Sequence, residues 1–128
     1  MGYRVIQWAT GGVGRAAIQG IVEHPDLELV GCWVHSRKKA GLDAGEIAGI
    51  GSIGVKATAD EAEILAMDAD CVLYSPIMAD PAQVERILRS GKNVVTPLGW
   101  FFPYRGADFA TLEVACRTAG VTLRSEER

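Results

Sequence analysis

The chain lacks the features of membrane and nucleic-acid-binding proteins. No apolar run approaches the ~18 residues that a transmembrane helix needs. Its 13 Lys and Arg against 16 Asp and Glu give a formal net charge of −3, and nucleic-acid binding would need a basic excess. The first residues run straight into a strand pattern without a signal peptide, and Ile6 stands where myristoylation would need Ser or Thr. We therefore expect a cytoplasmic protein with neither nucleic-acid nor membrane partners.

Paired cysteines and clusters of metal ligands are also missing. The three cysteines, Cys32, Cys71 and Cys116, are widely spaced in apolar segments and form no C-x-x-C pair. This pattern predicts small buried side chains in a reducing compartment rather than disulfides. His24 and His35 stand alone, so no zinc or other metal site is predicted.

A glycine-rich turn near the N-terminus is the most informative feature that is present. The residues Thr10, Gly11, Gly12, Val13 and Gly14 separate an apolar strand pattern from a helix-like stretch at positions 16–22. Strand, glycine turn and helix in this order open a dinucleotide-binding domain. Gly11 would allow close approach of a pyrophosphate, Gly14 would allow the helix to pack on the strand, and the helix N-terminus would face the phosphates.

The turn departs from the G-x-G-x-x-G pattern at its first position, where Ala9 stands. Alanine is tolerable there if the turn keeps a negative φ, because only a positive φ strongly demands glycine. The alternative is that these glycines only make a tight connection between strand and helix.

Strand and helix patterns alternate along the rest of the chain. Further strands are predicted at 27–34, 54–57, 70–75, 92–96 and from Val121, and helices at 13–23, 60–67, 81–89 and 108–118, with a weak helical turn at 42–47. Such alternation implies right-handed crossovers and helices on both faces of a parallel sheet. The prediction is an α/β, Rossmann-type, doubly wound and mainly parallel sheet in a single domain.

A basic run follows the second strand, where a cofactor with a free ribose 2′-OH usually meets a carboxylate. The residues there are His35, Ser36, Arg37, Lys38 and Lys39. Arginine and lysine side chains and a serine hydroxyl suit a phosphate. We therefore predict NADP as the cofactor, with NAD as the alternative, and bound by Ser36 and Arg37 foremost. The other reading is a solvated basic loop.

Ligands of parallel sheets bind beyond the carboxyl ends of the strands. After two predicted strands these positions carry Ser75 and Pro76, and Thr96 and Pro97, which we expect near a nicotinamide ring. The alternative is that both prolines simply end their strands.

The aromatic run Trp100, Phe101, Phe102 and Tyr104 follows shortly after the last of these loops. It suits either a local core or an interface, with a second copy of the chain or with a catalytic domain. No side chains form a convincing acid–base pair, so no catalytic residue is predicted. Asp80, which precedes Pro81, is explained as a helix cap.

Three segments, at 4–15, 24–31 and 43–46, together resemble the N-terminal domain of dihydrodipicolinate-reductase-like proteins, nearest to the branch of 2,4-diaminopentanoate dehydrogenase and related amine dehydrogenases. The resemblance covers roughly residues 3–123. It implies a Rossmann domain, followed by a catalytic and oligomerisation domain, and hydride transfer between a nicotinamide cofactor and a C=N bond. It also implies that the glycine turn holds the pyrophosphate and that Ser75, Thr96 and Pro97 lie near the nicotinamide.

The C-terminal residues depart from the family pattern. Residues 1–123 are predicted as the dinucleotide-binding domain and 124–128 as a polar tail, where the family continues into the catalytic domain. Three functions therefore stay open. The chain is the cofactor-binding part of such an oxidoreductase, a non-catalytic nucleotide-binding or self-associating module, or part of another two-domain dehydrogenase.

Overall fold

The computed structural model of the chain describes residues 2–76, 80–96 and 114–125. The strands in these residues are β1 (Tyr3–Trp8), β2 (Leu27–Trp33), β3 (Ala57–Thr58), β4 (Cys71–Tyr74), β5 (Asn93–Thr96) and β6 (Leu123–Ser125). The helices are α1 (Gly12–Glu23), α2 (Ala44–Ile47), α3 (Glu61–Leu65) and α4 (Pro81–Arg89). Residues 114–119, which precede β6, are also helical.

The strands form one sheet in the order β3-β2-β1-β4-β5-β6, and every neighbouring pair is parallel. The chain begins at the centre, builds outward through β2 and β3, and then crosses back to continue on the other side through β4. The predicted Rossmann-type, doubly wound sheet is thereby confirmed. Between β1 and β4 the winding direction changes, and ligands of such sheets bind outside the strand ends at this point.

Two strands lie later in the chain than predicted. The third strand is Ala57–Thr58 rather than 54–57, because it pairs with the end of β2 through Cys32 and Trp33. The last strand is Leu123–Ser125, which pairs with β5, so the first two residues of the predicted polar tail belong to the sheet. In both cases the strand bounds follow from a tertiary partner.

The two faces of the sheet carry separate hydrophobic clusters. On one face, Ile6 and Trp8 of β1 belong to a buried cluster with Val84, Ile87 and Leu88 of α4. The other face is covered by α1, and there the buried residues are Val5, Ile18, Ile21, Leu29, Cys32, Val34, Ala44, Ala48 and Ala57. Burial raises the pKa of the Cys32 thiol to about 12, as befits a small core side chain. Among the described residues, no helix is long and apolar enough to cross a membrane.

The connection from β1 to α1 requires glycine at position 14. A Cβ built on Gly14 would lie 2.2 Å from the carbonyl oxygen of Ala9, which is far inside van der Waals contact. The predicted close packing of helix on strand is confirmed. By contrast, a Cβ on Gly20, in the same helix, would meet nothing within 4 Å.

Asp43 organises the loop between β2 and β3. Its carboxylate accepts hydrogen bonds from the backbone N–H groups of Gly45, Glu46, Ile53 and Gly54 and from the hydroxyl of Ser52. The N–H of Ile53 foremost, with the other three, lowers the pKa of this carboxyl to about 2. The ionised form of Asp43 therefore stabilises the folded loop.

Alanine substitutions at Gly14 and Gly20 test whether Gly14, and not Gly20, is required for the packing of α1 on β1. Gly14→Ala should lower the free energy of unfolding by about 3 kcal/mol, since backbone must move to admit the methyl group. Gly20→Ala, the matched control, should raise it by about 1 kcal/mol through helix propensity. Urea unfolding measures both values, and equal effects of the two substitutions would contradict this packing.

The Asp43 loop should also contribute to acid sensitivity. The folded pKa of about 2 lies below the ordinary 3.8, so the contribution of Asp43 to stability is present above about pH 4 and is lost as the pH falls towards 2. Asp43→Asn should therefore flatten the fall in unfolding free energy between pH 5 and 2. Glu28→Gln, which removes an exposed carboxylate of β2, is the control, and an unchanged acid profile in Asp43→Asn would argue against this contribution.

Candidate functional site

The N-terminus of α1 is the one long helix start among the described residues that carries no side-chain cap. Its N-cap is Gly11, and its first turn has no acidic residue. In contrast, Asp43, Asp60 and Asp80 cap α2, α3 and α4 with their carboxylates. The N–H groups of the first turn of α1, with the positive end of the helix dipole, are thus left to a ligand anion.

Space for such an anion exists at the glycine turn. A Cβ added at Gly11 or at Gly12 would meet nothing within 4 Å, and both glycines are exposed. The absence of side chains here lets a phosphate approach the backbone closely, which is the role that the glycine pattern predicts.

The turn does not keep a negative φ at Ala9. Its φ is +86°, so the first position of the turn has the left-handed conformation that favours glycine. The physical reason lies in the tertiary structure. The carbonyl oxygen of Ala9 accepts a hydrogen bond from Nε2 of the buried Gln7 at 3.0 Å and lies against α1 at Gly14.

A cleft of about 610 Å³ opens at the carboxyl ends of β1, β2 and β4. Its walls come from the glycine turn, the segment after β2, the segment after β4 and the start of α4. The lining residues are Ala9, Thr10, Gly11, Trp33, His35, Ser36, Lys39, Ser75, Pro76, Asp80 and Gln83.

The structure brings six of the predicted cofactor-binding residues together in this cleft, namely Thr10, Gly11, His35, Ser36, Ser75 and Pro76. Gly12, Val13 and Gly14 form the first turn of α1 beside it. Arg37 and Lys38 are exposed in the turn after β2 and do not line the cleft. Thr96 is buried at the end of β5. Pro97 and the aromatic residues Trp100, Phe101 and Phe102 lie outside the described residues.

Lys39 is a cleft residue that the sequence did not single out. Its ammonium donates hydrogen bonds to the carbonyl oxygen of Thr10 at 3.2 Å and to the Thr10 hydroxyl at 3.1 Å. The turn that begins at Ser36, closed by a hydrogen bond from the Lys39 N–H to the Ser36 carbonyl at 3.1 Å, brings this lysine back over the glycine turn. The basic run was visible in the sequence, but which of its cations faces the cleft was not.

Aromatic rings and a hydrogen-bonded tyrosine form the inner part of the site. The indole of Trp33 stacks on that of Trp8 with ring centroids 4.5 Å apart. The hydroxyl of Tyr74 donates to Gln83 at 2.8 Å and accepts from the N–H of Asp80 at 2.9 Å. Burial foremost raises the pKa of Tyr74 to about 12, so this phenol stays protonated at neutral pH. These hydrogen bonds indicate that Tyr74 and Gln83 have structural roles.

Asp80 lines the cleft with a carboxylate, and this group has a structural role. Asp80 accepts a hydrogen bond from the N–H of Ala82 at 3.1 Å, which confirms it as the cap of α4. Within residues 2–76, 80–96 and 114–125, no group of three His, Cys, Asp or Glu side chains is arranged to hold a metal ion. The geometry of the cleft is that of a binding site with an anion-receiving helix end and a neighbouring cation.

Comparison with known proteins gives the same picture. Residues 5–96 match the family model described as dihydrodipicolinate reductase, N-terminus. Over 98 residues the chain is 39% identical to an amine dehydrogenase of Streptomyces virginiae, a match that covers 72% of this chain and 27% of that protein. Over 63 residues it is 36% identical to a 4-hydroxy-tetrahydrodipicolinate reductase of a Synechocystis strain, covering 49% of this chain and 23% of the relative.

Solved structures share the fold at lower identity. An amine dehydrogenase from Mycobacterium smegmatis superposes with a TM-score of 0.83 at 23% identity, over 94% of this chain and 38% of that one. A biliverdin reductase from Synechocystis, solved with biliverdin and NADP+, gives a TM-score of 0.73 at 23% identity, over 96% and 37% of the two chains. The chain thus spans well under half the length of these proteins.

The family match extends from β1 through β5 and includes the glycine turn, the segment after β2 and the end of β4. These are the elements that form the cleft. The chain therefore belongs to the dihydrodipicolinate reductase family, as its N-terminal, nicotinamide-dinucleotide-binding domain.

Proposed function

We propose that the cleft binds NADP(H) in preference to NAD(H). The observation that carries this proposal is the chemistry of the segment after β2, where residues 35–39 contain three cations, a histidine and a serine but no carboxylate. A carboxylate there would bind the ribose 2′-OH of NAD and repel a 2′-phosphate. Ser36 lines the cleft, and the exposed Arg37 follows it, so hydroxyl and guanidinium donors are available to a 2′-phosphate.

The pyrophosphate of the cofactor would lie on the N-terminus of α1. The backbone N–H groups of Gly12 and Val13 in the first turn would donate to it, and the open space at Gly11 would admit it. The ammonium of Lys39, which lies at Thr10, would add a positive charge on the same side. This arrangement assigns Lys39 to the diphosphate and Arg37 to the 2′-phosphate.

We further propose that the nicotinamide ring lies towards β4 and β5, near Ser75, Pro76, Thr96 and Pro97. Ser75 and Pro76 line the cleft on the side opposite to the basic segment. The bound cofactor would supply or accept a hydride, and these residues would orient the ring and shield one of its faces from water. In the relatives that are amine dehydrogenases and 4-hydroxy-tetrahydrodipicolinate reductases, the matched segment is about a quarter of the protein.

From the similarity to an amine dehydrogenase and to 4-hydroxy-tetrahydrodipicolinate reductases, we infer that the substrate is an imine, with a C=N bond, or the amine formed by its reduction. On the β4 side of the cleft, where the nicotinamide is proposed to lie, Asp80 caps α4 and the neighbouring Tyr74 is hydrogen-bonded on both sides, so both have structural roles. The substrate-binding and proton-transferring groups of such an oxidoreductase would therefore come from outside the described cleft.

The three cysteines are in keeping with the proposed cytoplasmic location, where thiols remain reduced.

Cofactor preference is tested by calorimetry with NADPH and NADH. Arg37→Ala should lower the affinity for NADPH about tenfold or more and leave that for NADH nearly unchanged, because a charge-assisted hydrogen bond contributes about 1.5–3 kcal/mol. Lys39→Met should weaken the binding of both cofactors, since both contain the diphosphate.

Arg89→Ala is the matched control for charge. Arg89 is exposed at the C-terminal end of α4, where its guanidinium pairs with Glu85, and its removal should alter neither affinity. An unchanged ratio of NADPH to NADH affinity in Arg37→Ala would refute the assignment to NADP. No binding of either cofactor at millimolar concentration would refute the nucleotide site itself.

Hydride transfer is tested on the complete natural protein. Oxidation of NADPH, followed by its absorbance, is expected with cyclic or open-chain imines, and reduction of NADP+ with the corresponding amines. Gly12→Val should raise the KM for the cofactor strongly, because the added side chain occupies the space proposed for the pyrophosphate. Turnover of ketones or alcohols in place of imines and amines would contradict the proposed substrate class.

A further inference from the structure

Gln7 is a fully buried amide in the central strand, at the base of the glycine turn. Its Nε2 donates to the hydroxyl of Ser75 at 2.7 Å and to the carbonyl oxygen of Ala9 at 3.0 Å, with a longer contact to the carbonyl oxygen of Trp8 at 3.3 Å. Nε2 is also 3.2 Å from the position that a Cβ on Gly14 would take. The amide therefore links the end of β1 to the segment after β4 and lies beside the start of α1.

The atoms that accept hydrogen bonds from Gln7 restrict which side chains could stand at position 7. A carbonyl oxygen can only accept a hydrogen bond, so the side chain at position 7 must present a donor to Ala9 and Trp8. Aliphatic side chains and carboxylates present none. Ser75 accepts a hydrogen bond from Gln7, and its own hydroxyl donates to the Trp8 carbonyl oxygen at 3.4 Å. Two side-chain hydrogen bonds therefore link the end of β1 to the segment after β4.

The Ala9 carbonyl belongs to the strained residue of the turn. A non-glycine residue at a φ of +86° is unfavourable and persists only where surrounding contacts determine its conformation. The hydrogen bond from Gln7 is such a contact, since it fixes the orientation of the peptide group that follows Ala9. That peptide group leads into Thr10 and Gly11, both of which line the cleft.

We infer that Gln7 is a positioning residue for the cofactor. Its amide holds the peptide of Ala9 in the left-handed conformation and ties it to Ser75, so that Thr10, Gly11 and the start of α1 are already arranged to receive a diphosphate. This inference rests on the proposed nucleotide function and deepens it. It explains how the chain tolerates alanine at the first position of a glycine pattern. The hydrogen bond from Gln7 stabilises a positive φ at Ala9 that glycine would adopt without such support.

The experiment is a double-substitution cycle read out by NADPH affinity at a temperature where every variant is folded. Gln7→Met keeps the side-chain length but removes the donor, and it should lower the affinity about tenfold or more, as expected when a turn loses its buried hydrogen bond. Ala9→Gly alone should leave the affinity within about threefold of the unaltered chain, because glycine adopts a positive φ readily. The combined Gln7→Met and Ala9→Gly variant should recover most of the lost affinity.

A matched control separates positioning from general stability. Gln19, in α1, also donates its amide Nε2 to a carbonyl oxygen, that of Ala48 at 2.7 Å, but lies away from the turn. Gln19→Met should lower the melting temperature and leave NADPH affinity unchanged. If Gln7 had only a structural role, Gln7→Met would likewise lower the melting temperature and leave NADPH affinity unchanged. Ala9→Gly would then have no lost affinity to restore.

Each outcome decides between the alternatives. Equal affinity of the unaltered chain and Gln7→Met overturns this inference alone, whereas failure of the unaltered chain to bind NADPH or NADH overturns the proposed function with it. If Gln7→Met does not fold, the pair Ala9→Gly and the double variant is compared instead. A folded double variant with the affinity of Ala9→Gly supports the inference, and an unfolded or weakly binding one overturns it.

Discussion

The close contact between β1 and α1 is the constraint on which the cleft depends. The carbonyl oxygen of Ala9 lies where a Cβ on Gly14 would be 2.2 Å away, so only glycine at position 14 allows the helix to begin so near the strand. That proximity places the first turn of α1, whose N–H groups have no helical partners, beside the cleft at the carboxyl ends of the strands. A helix that started further away would leave the same glycine turn without an anion site.

The cleft divides into two chemically different sides. On the side of β2, Lys39 bonds to Thr10 and the neighbouring Arg37 and Lys38 add positive charge, which suits the phosphates of a dinucleotide. On the side of β4 and α4, Asp80 is a helix cap, and the Tyr74 hydroxyl donates to Gln83 and accepts from the Asp80 N–H, so these side chains are engaged in structural hydrogen bonds. Such a distribution fits a domain that binds a nicotinamide dinucleotide.

The fold was predictable because its signals are local and repeated. Alternating strands and helices, Pro81 after a capping Asp80 and glycines at helix ends each indicate structure within a few residues. The bounds of β3 and β6 were not predictable in the same way, since Thr58 and Ser125 are strand residues only because β2 and β5 lie beside them. The same holds for Ala9, whose positive φ depends on Gln7 and α1 rather than on its own preference.

The sequence by itself determined the class of fold, the position of the glycine turn and the basic character of the segment after β2, because these follow from residue types at short spacing. The tertiary structure alone decided that Lys39 is the cation of that segment facing the cleft and that Gln7 bonds to Ser75 beneath the turn. Those facts depend on which side chains meet across 29 to 68 positions of sequence. Contacts of that separation arise from the winding of the sheet, which brings the ends of distant strands to one edge.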